Sequence, residues 1–169
     1  MTEDPQLRRI RIWLAVFIIG LILSGLTAFP LERETALLSR IVAHVPAPGL
    51  QLWVKRVHIA LADTNARYPF LAYGTDWLAF AHLALAIAFI GPYRDPVRNR
   101  WVITFGIIAC AGVIPLALIA GPIRGIPIYW RLIDCSFGIF GCIPLLICQR
   151  IIQRLDTPIL ISNGGNPTN

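Results

Sequence analysis

The chain has 169 residues, of which 56% are hydrophobic and only 14% are charged, and its mean hydropathy is +0.67. A soluble domain carries about 25% charged residues, so the composition places this chain among membrane proteins. The net charge of +6 does not indicate a nucleic-acid partner, because the basic residues flank apolar runs and no nucleic-acid-binding motif is present.

Four apolar runs are long enough to cross a membrane, which takes about 20 residues. They cover residues 12–31, 72–93, 101–123 and 126–149. The first run is uncharged and extends beyond the core of a typical signal peptide, so we expect it to be retained as a span. The predicted fold is all-α: an integral membrane four-helix bundle, forming a single domain over residues 1–169.

The segment between the first two spans predicts two amphipathic helices, over about residues 33–45 and 50–62. Apolar residues at helical spacing, such as Leu37 and Ile41, share one face of the first helix, and the sequence PAPG separates it from the second. We expect both helices to lie in the outer membrane interface, with a position over the mouth of the bundle as the alternative. The polar residues 157–169 predict a flexible tail.

Basic residues mark one side of the membrane. They cluster before the first span, between the second and third spans, and after the fourth span: Arg8, Arg9, Arg11, Arg94, Arg98, Arg100, Arg150 and Arg154. With four spans these three places share one side, which the positive-inside rule makes cytoplasmic. We therefore predict that both termini are cytoplasmic and that the protein resides in a bacterial-type cytoplasmic membrane, in contact with the lipid bilayer.

Eight polar residues at or near the outer side of the predicted bundle are candidate binding residues: His58, Asp63, Arg67, Asp76, His82, Arg124, Arg131 and Asp134. Insertion of a charged side chain into the membrane costs about 2.5–3.5 kcal/mol. A charged residue at this depth therefore indicates a functional role or a paired partner. Asp76 and Asp134 lie near the starts of spans that begin on the same side, so we expect them at a similar depth. Each also has a structural explanation, Asp76 as a helix cap and Asp134 as the partner of Arg131.

Three functions are compatible with these residues. The expected one is a binding or accessory subunit that recognises a lipid, a small ligand or a larger membrane-protein complex. The second is a membrane hydrolase that uses Asp76 and Asp134 as an acid–base dyad. The third is an electron-transfer protein in which His82 ligates the iron of haem b. The four cysteines form no C-x-x-C pair, and we expect them to be packing residues.

Overall fold

The structure is a computed structural model that describes the backbone of residues 4–163 and the side chains of residues 4–155. Within these residues the chain is helical and contains no strand. The helices are α1 (Pro5–Ala28), α2 (Leu31–Val42), α3 (Pro48–Arg67), α4 (Tyr73–Ala88), α5 (Ile90–Arg94), α6 (Arg100–Ile123) and α7 (Ile128–Asn163). A 3₁₀ turn, Pro69–Ala72, leads into α4.

Four helical segments of the described chain are long and apolar enough to cross a membrane: Pro5–Ala28, Pro69–Arg94, Arg100–Ile123 and Ile128–Leu155. They confirm the predicted all-α fold with four spans, which indicates a multi-pass membrane protein. The helices extend past several predicted ends because flanking polar residues continue the helical backbone. The backbone of α7 continues to Asn163, and residues 164–169 lie outside the described residues. The flexible tail over residues 157–169 remains a prediction.

The predicted amphipathic segments also form helices, although their bounds move. The first ends at Val42 and the second continues to Arg67, because α3 includes the sequence DTNAR beyond the predicted end at residue 62. Pro48 begins α3, where the missing amide proton costs nothing. The placement of both helices in the membrane interface remains a prediction.

The chain divides into two compact units, one comprising Met1–Ile19 with Ile87–Asn169 and the other comprising Gly20–Ala86. The single domain predicted for residues 1–169 remains a prediction. In the first unit, α6 and α7 form a helical hairpin closed by a tight turn. Gly125 has a positive φ of 68°, and the amide of Ile126 donates to the carbonyl oxygen of Gly121 at 2.9 Å. This is a Schellman turn, and glycine adopts its left-handed conformation without strain.

In the second unit, α2 and α3 form an antiparallel hairpin. The side-chain amide of Gln51, near the start of α3, donates to the carbonyl oxygens of Val45 at 2.8 Å and of Ala43 at 3.3 Å. It thereby satisfies carbonyl groups that the end of α2 leaves without helical partners. The last part of α1 packs on α4 through Gly25, where a Cβ atom would lie 3.0 Å from the carbonyl oxygen of Ala79.

Candidate functional site

A cleft of about 460 Å³ opens in the second unit. Three segments of the chain form its walls: the connection from α1 to α2 with the first turn of α2, the last turns of α3, and the 3₁₀ turn with the start of α4. Its lining residues are Phe29, Pro30, Leu31, Glu32, Arg33, Leu61, Thr64, Asn65, Leu71, Ala72 and Thr75. The cleft therefore lies where two membrane-spanning segments join the α2–α3 hairpin, and its walls combine apolar, polar and charged groups.

A carboxylate and an amide form the polar wall of this cleft. Asn65 Nδ2 donates to Glu32 Oε2 at 2.7 Å, which links the end of α3 to the start of α2. Both side chains are half-buried. An ionised carboxylate offers about four acceptor positions, and this bond uses one of them. Glu32 can therefore accept further hydrogen bonds from a bound group, while Asn65 fixes its orientation.

Thr35 and His58 make a second polar link between α2 and α3. The buried Thr35 hydroxyl donates to the carbonyl oxygen of Glu32 at 2.9 Å. Its oxygen lies 3.5 Å from Nδ1 of His58. Because the single hydroxyl proton is directed to Glu32, His58 supplies the proton of the second, longer bond. His58 was predicted as a binding residue; the structure places it in a structural link one helical turn along α2 from the cleft wall.

Asp63 and Arg67 form an ion pair one helical turn apart on α3, with Arg67 Nε 2.8 Å from Asp63 Oδ1. Their side chains are 54% and 68% exposed, respectively. An exposed pair at this spacing contributes only about 0.3–0.5 kcal/mol. Both residues were predicted to bind a ligand, but neither lines the cleft.

Asp76 and His82 lie on α4. Asp76 is half-buried in the first turn, where a carboxylate complements the positive end of the helix. It is not a cap, because α4 begins three residues earlier, at Tyr73. His82 Nδ1 lies 2.8 Å from the carbonyl oxygen of Leu78 and donates a hydrogen bond to it, since a carbonyl oxygen can only accept. Ligation of haem by His82 remains a prediction.

Arg124, Arg131 and Asp134 belong to the first unit. Arg124 is exposed at the end of α6. The aliphatic stem of Arg131 lies over Gly121, where it occupies the place that a Cβ atom would take. In the described chain its Nε atom is buried without a hydrogen-bond partner. The ion pair expected between Arg131 and Asp134 is not formed among the described residues, because the arginine stem extends toward α6 instead of along α7.

The eight predicted binding residues are thus divided between the two units, and none of them lines the cleft. The proximity of Asp76 to Asp134, and the acid–base dyad that requires it, remain predictions. The described residues contain no group of three or more His, Cys, Asp or Glu side chains able to hold a metal ion. Sequence reasoning missed Glu32 and Asn65. Their only signal is an acidic residue directly after the first predicted span and a polar residue shortly after the second predicted amphipathic helix.

The fold and the residues that line the cleft define the class of this protein. It is a helical multi-pass membrane protein with a cleft of polar and apolar residues beside its spans. The chain matches no known family model, no curated protein sequence and no solved structure. Its function is therefore inferred from its own residues and geometry.

Proposed function

We propose that this protein is a lipid-binding accessory protein of the cytoplasmic membrane, and that its ligand is an amphiphile held in the cleft of the second unit. The observation that carries the proposal is the Glu32–Asn65 pair set in a mostly apolar cleft next to two spans. The volume of about 460 Å³ lies within the range of about 300–1,000 Å³ that is usual for small-ligand sites. That space suits a headgroup together with the first carbons of its acyl chains.

The apolar side of the cleft favours a lipid over a polar solute. Phe29 and Leu71 line it and are 47% and 55% exposed, so each presents apolar surface beyond the cleft as well. Phe29 directly follows the span α1, and Leu71 lies near the start of the span Pro69–Arg94. Acyl chains that leave the cleft along these side chains would pass directly into the hydrocarbon of the bilayer, which avoids exposing them to water.

The charges in the cleft favour a zwitterionic headgroup. Glu32 has acceptor positions left for an ammonium group, which is a strong donor to a carboxylate. The next residue, Arg33, also lines the cleft and supplies a guanidinium group for a phosphate. An amine beside a phosphate, as in a phosphoethanolamine headgroup, satisfies both charges. A purely anionic headgroup would leave Glu32 facing a like charge.

The α2–α3 hairpin would lie on the outer membrane surface beside this ligand. On α2, Leu37 and Ile41 share one exposed face and are 59% and 56% exposed. Exposed apolar residues of this kind suit the acyl boundary of a bilayer, with the neighbouring Arg33 and Arg40 at headgroup level. The basic termini and the basic turn before α6 support a cytoplasmic location for both ends of the chain.

Lipid retention by the purified full-length chain tests the proposal. The protein is exchanged into detergent with equal amounts of phosphatidylethanolamine, phosphatidylglycerol and a neutral glycolipid, and bound lipids are counted by native mass spectrometry. We expect phosphatidylethanolamine to be retained preferentially and Glu32→Gln to abolish that preference, since the amide keeps the bond from Asn65 but loses the charge. The matched control is Glu34→Gln, on the same helix but outside the cleft lining.

Equal retention of the three lipids by the wild-type protein would reject the headgroup assignment. Unchanged selectivity in Glu32→Gln would place the lipid somewhere other than the cleft. Loss of selectivity in both variants would indicate a general effect of charge on the hairpin, and would likewise contradict the proposal.

A further inference from the structure

Exposed arginines occur on three segments of the first unit. These segments are the start of α1, the turn between α5 and α6, and the last turns of the membrane-spanning part of α7. Six arginines there are exposed and have no carboxylate partner among the described residues: Arg8, Arg9, Arg94, Arg98, Arg150 and Arg154. These six residues form the arginine cluster.

Two consecutive residues of α1 bring the three segments together. Arg11 donates from Nε to the carbonyl oxygen of Tyr93 at 3.3 Å and from Nη2 to that of Arg94 at 3.5 Å. Both carbonyl groups belong to the end of α5, where helical partners are lacking. On α7, Cys148 Sγ lies 3.6 Å from the carbonyl oxygen of Ile10. The start of α1 therefore contacts both other segments, and the arginine cluster lies around these contacts.

The turn between α5 and α6 is fixed by hydrogen bonds to its backbone. Asp95 Oδ1 accepts a bond from the amide of Arg98 at 3.0 Å. Asn99 Nδ2 donates to the carbonyl oxygens of Asp95 at 2.9 Å and of Gly91 at 3.3 Å. The side chains of Arg94 and Arg98 take no part in these bonds and remain exposed. The turn thus holds two guanidinium groups beside the start of α1 without using them.

Few carboxylates oppose this positive charge. Among the described side chains at this end of the first unit, the carboxylates are those of Asp4 and Asp95. Each of them already accepts a backbone amide, Asp4 from Gln6 at 2.9 Å and Asp95 from Arg98. The described part of the chain therefore leaves an excess of positive charge here, which an anionic partner from outside complements.

We propose that the arginine cluster binds the phosphate groups of anionic phospholipids, such as phosphatidylglycerol, in the leaflet that it faces. The planar fork of a guanidinium group matches the oxygens of a phosphate. All three segments lie at the ends of spans, so the arginines would stand at the depth of lipid headgroups. A soluble polyanion would have to approach the membrane surface to reach them. This site belongs to the first unit and does not depend on the lipid proposed for the cleft.

Separate lipid titrations of the purified full-length chain test the proposal. The protein in neutral detergent is titrated with phosphatidylglycerol or with phosphatidylcholine of the same acyl chains, and bound lipid is counted by native mass spectrometry. We expect phosphatidylglycerol to bind more tightly at low ionic strength. The preference should disappear at high ionic strength, because salt screens exposed charges. Lipid held in the half-buried cleft then remains measurable by itself.

Three double variants separate the cluster from net charge. Arg94→Gln/Arg98→Gln removes two charges without breaking a described hydrogen bond, and should weaken phosphatidylglycerol binding about fivefold for each arginine that contacts the lipid. Arg150→Gln/Arg154→Gln repeats the test on α7. The matched control Lys55→Gln/Arg56→Gln removes the same charge from exposed positions on α3 and should bind phosphatidylglycerol as the wild type does.

Equal affinity of the wild-type protein for the two lipids overturns the proposal. Equal weakening in the control and in both cluster variants also overturns it, since net charge alone would then explain the binding. Displacement of phosphatidylglycerol by inorganic phosphate at constant ionic strength would identify a soluble phosphate ligand instead, and tighter binding of a short DNA duplex would identify a nucleic acid; either result rejects a lipid site. Glu32→Gln should retain the binding, and its loss there would assign phosphatidylglycerol to the cleft and reject the cluster.

Discussion

Replacement of Gly138 by alanine should separate α6 from α7. The added Cβ atom would lie 2.5 Å from the carbonyl oxygen of Cys110, whereas ordinary van der Waals contact begins at 3.4 Å. The helices must therefore retreat by about 0.9 Å, because a backbone oxygen inside a helix cannot rotate away. Val113 Cβ lies 3.2 Å from the same added Cβ atom, so the methyl group cannot move toward Val113 either.

The size of the effect follows from two opposing contributions. Insertion of a methyl group into a well-packed contact costs about 1–3 kcal/mol. Alanine in place of glycine inside a helix stabilises the folded state by about 0.5–1 kcal/mol, since alanine restricts the unfolded chain. We expect the free energy of unfolding to fall by about 1–2 kcal/mol in Gly138→Ala. The matched control is Gly112→Ala on α6, where an added Cβ atom has no neighbour within 4 Å; this variant should be neutral or slightly stabilised.

The free energy of unfolding of both variants is measured in mixed micelles under identical conditions. Unfolding is followed by the loss of helical circular dichroism as the fraction of denaturing detergent increases. The order wild type above Gly138→Ala, with Gly112→Ala at or above wild type, supports the close approach of the two helices. Equal stability of the two alanine variants would refute the packing described for this hairpin.

Three further predictions concern the hairpin, the turn and the orientation. Asn65→Ala should lower the free energy of unfolding by about 1–2 kcal/mol, because the Glu32 carboxylate loses its partner on α3; the micelle titration measures it. Gly125→Ala should cost about 1–2 kcal/mol, since alanine is strained at a φ of 68°, and Gly125→Asn should cost less. Single cysteines at Ser39 and Asn99, in a background without native cysteines, should react with an impermeant maleimide from outside only at Ser39; labelling at Asn99 would reverse the proposed orientation.

The spans could be predicted from the sequence because a run of about 20 apolar residues has few other stable solutions. The end of α3 could not be predicted so well. The sequence DTNARYP has the composition of a turn, yet α3 continues to Arg67, supported by the Asp63–Arg67 pair and by the bond from Asn65 to Glu32. The helix stops where Pro69 follows. One tertiary hydrogen bond and one local ion pair thus support a helix end that local propensity left open.

The candidate site was harder to predict than the fold for a related reason. Sequence reasoning weighed each charge by its depth in the membrane, which drew attention to Asp76 and Asp134. The contacts that form in the second unit depend instead on the rotation of each helix about its axis. Glu32 and Asn65 meet across 33 positions of the chain.

Different kinds of contact join the helices inside each of the two units. Lipid solvates apolar side chains as well as a protein interior does, so helices within a bilayer gain little from apolar burial and rely on close packing. The α6–α7 hairpin follows this rule, with glycines and thiols at its contact. The α2–α3 hairpin contains buried Val42 and Val54 and is also joined by polar links, those of Glu32 with Asn65 and of Thr35 with His58. Under the proposed function, a headgroup would use the acceptor positions of Glu32 that the bond from Asn65 leaves free.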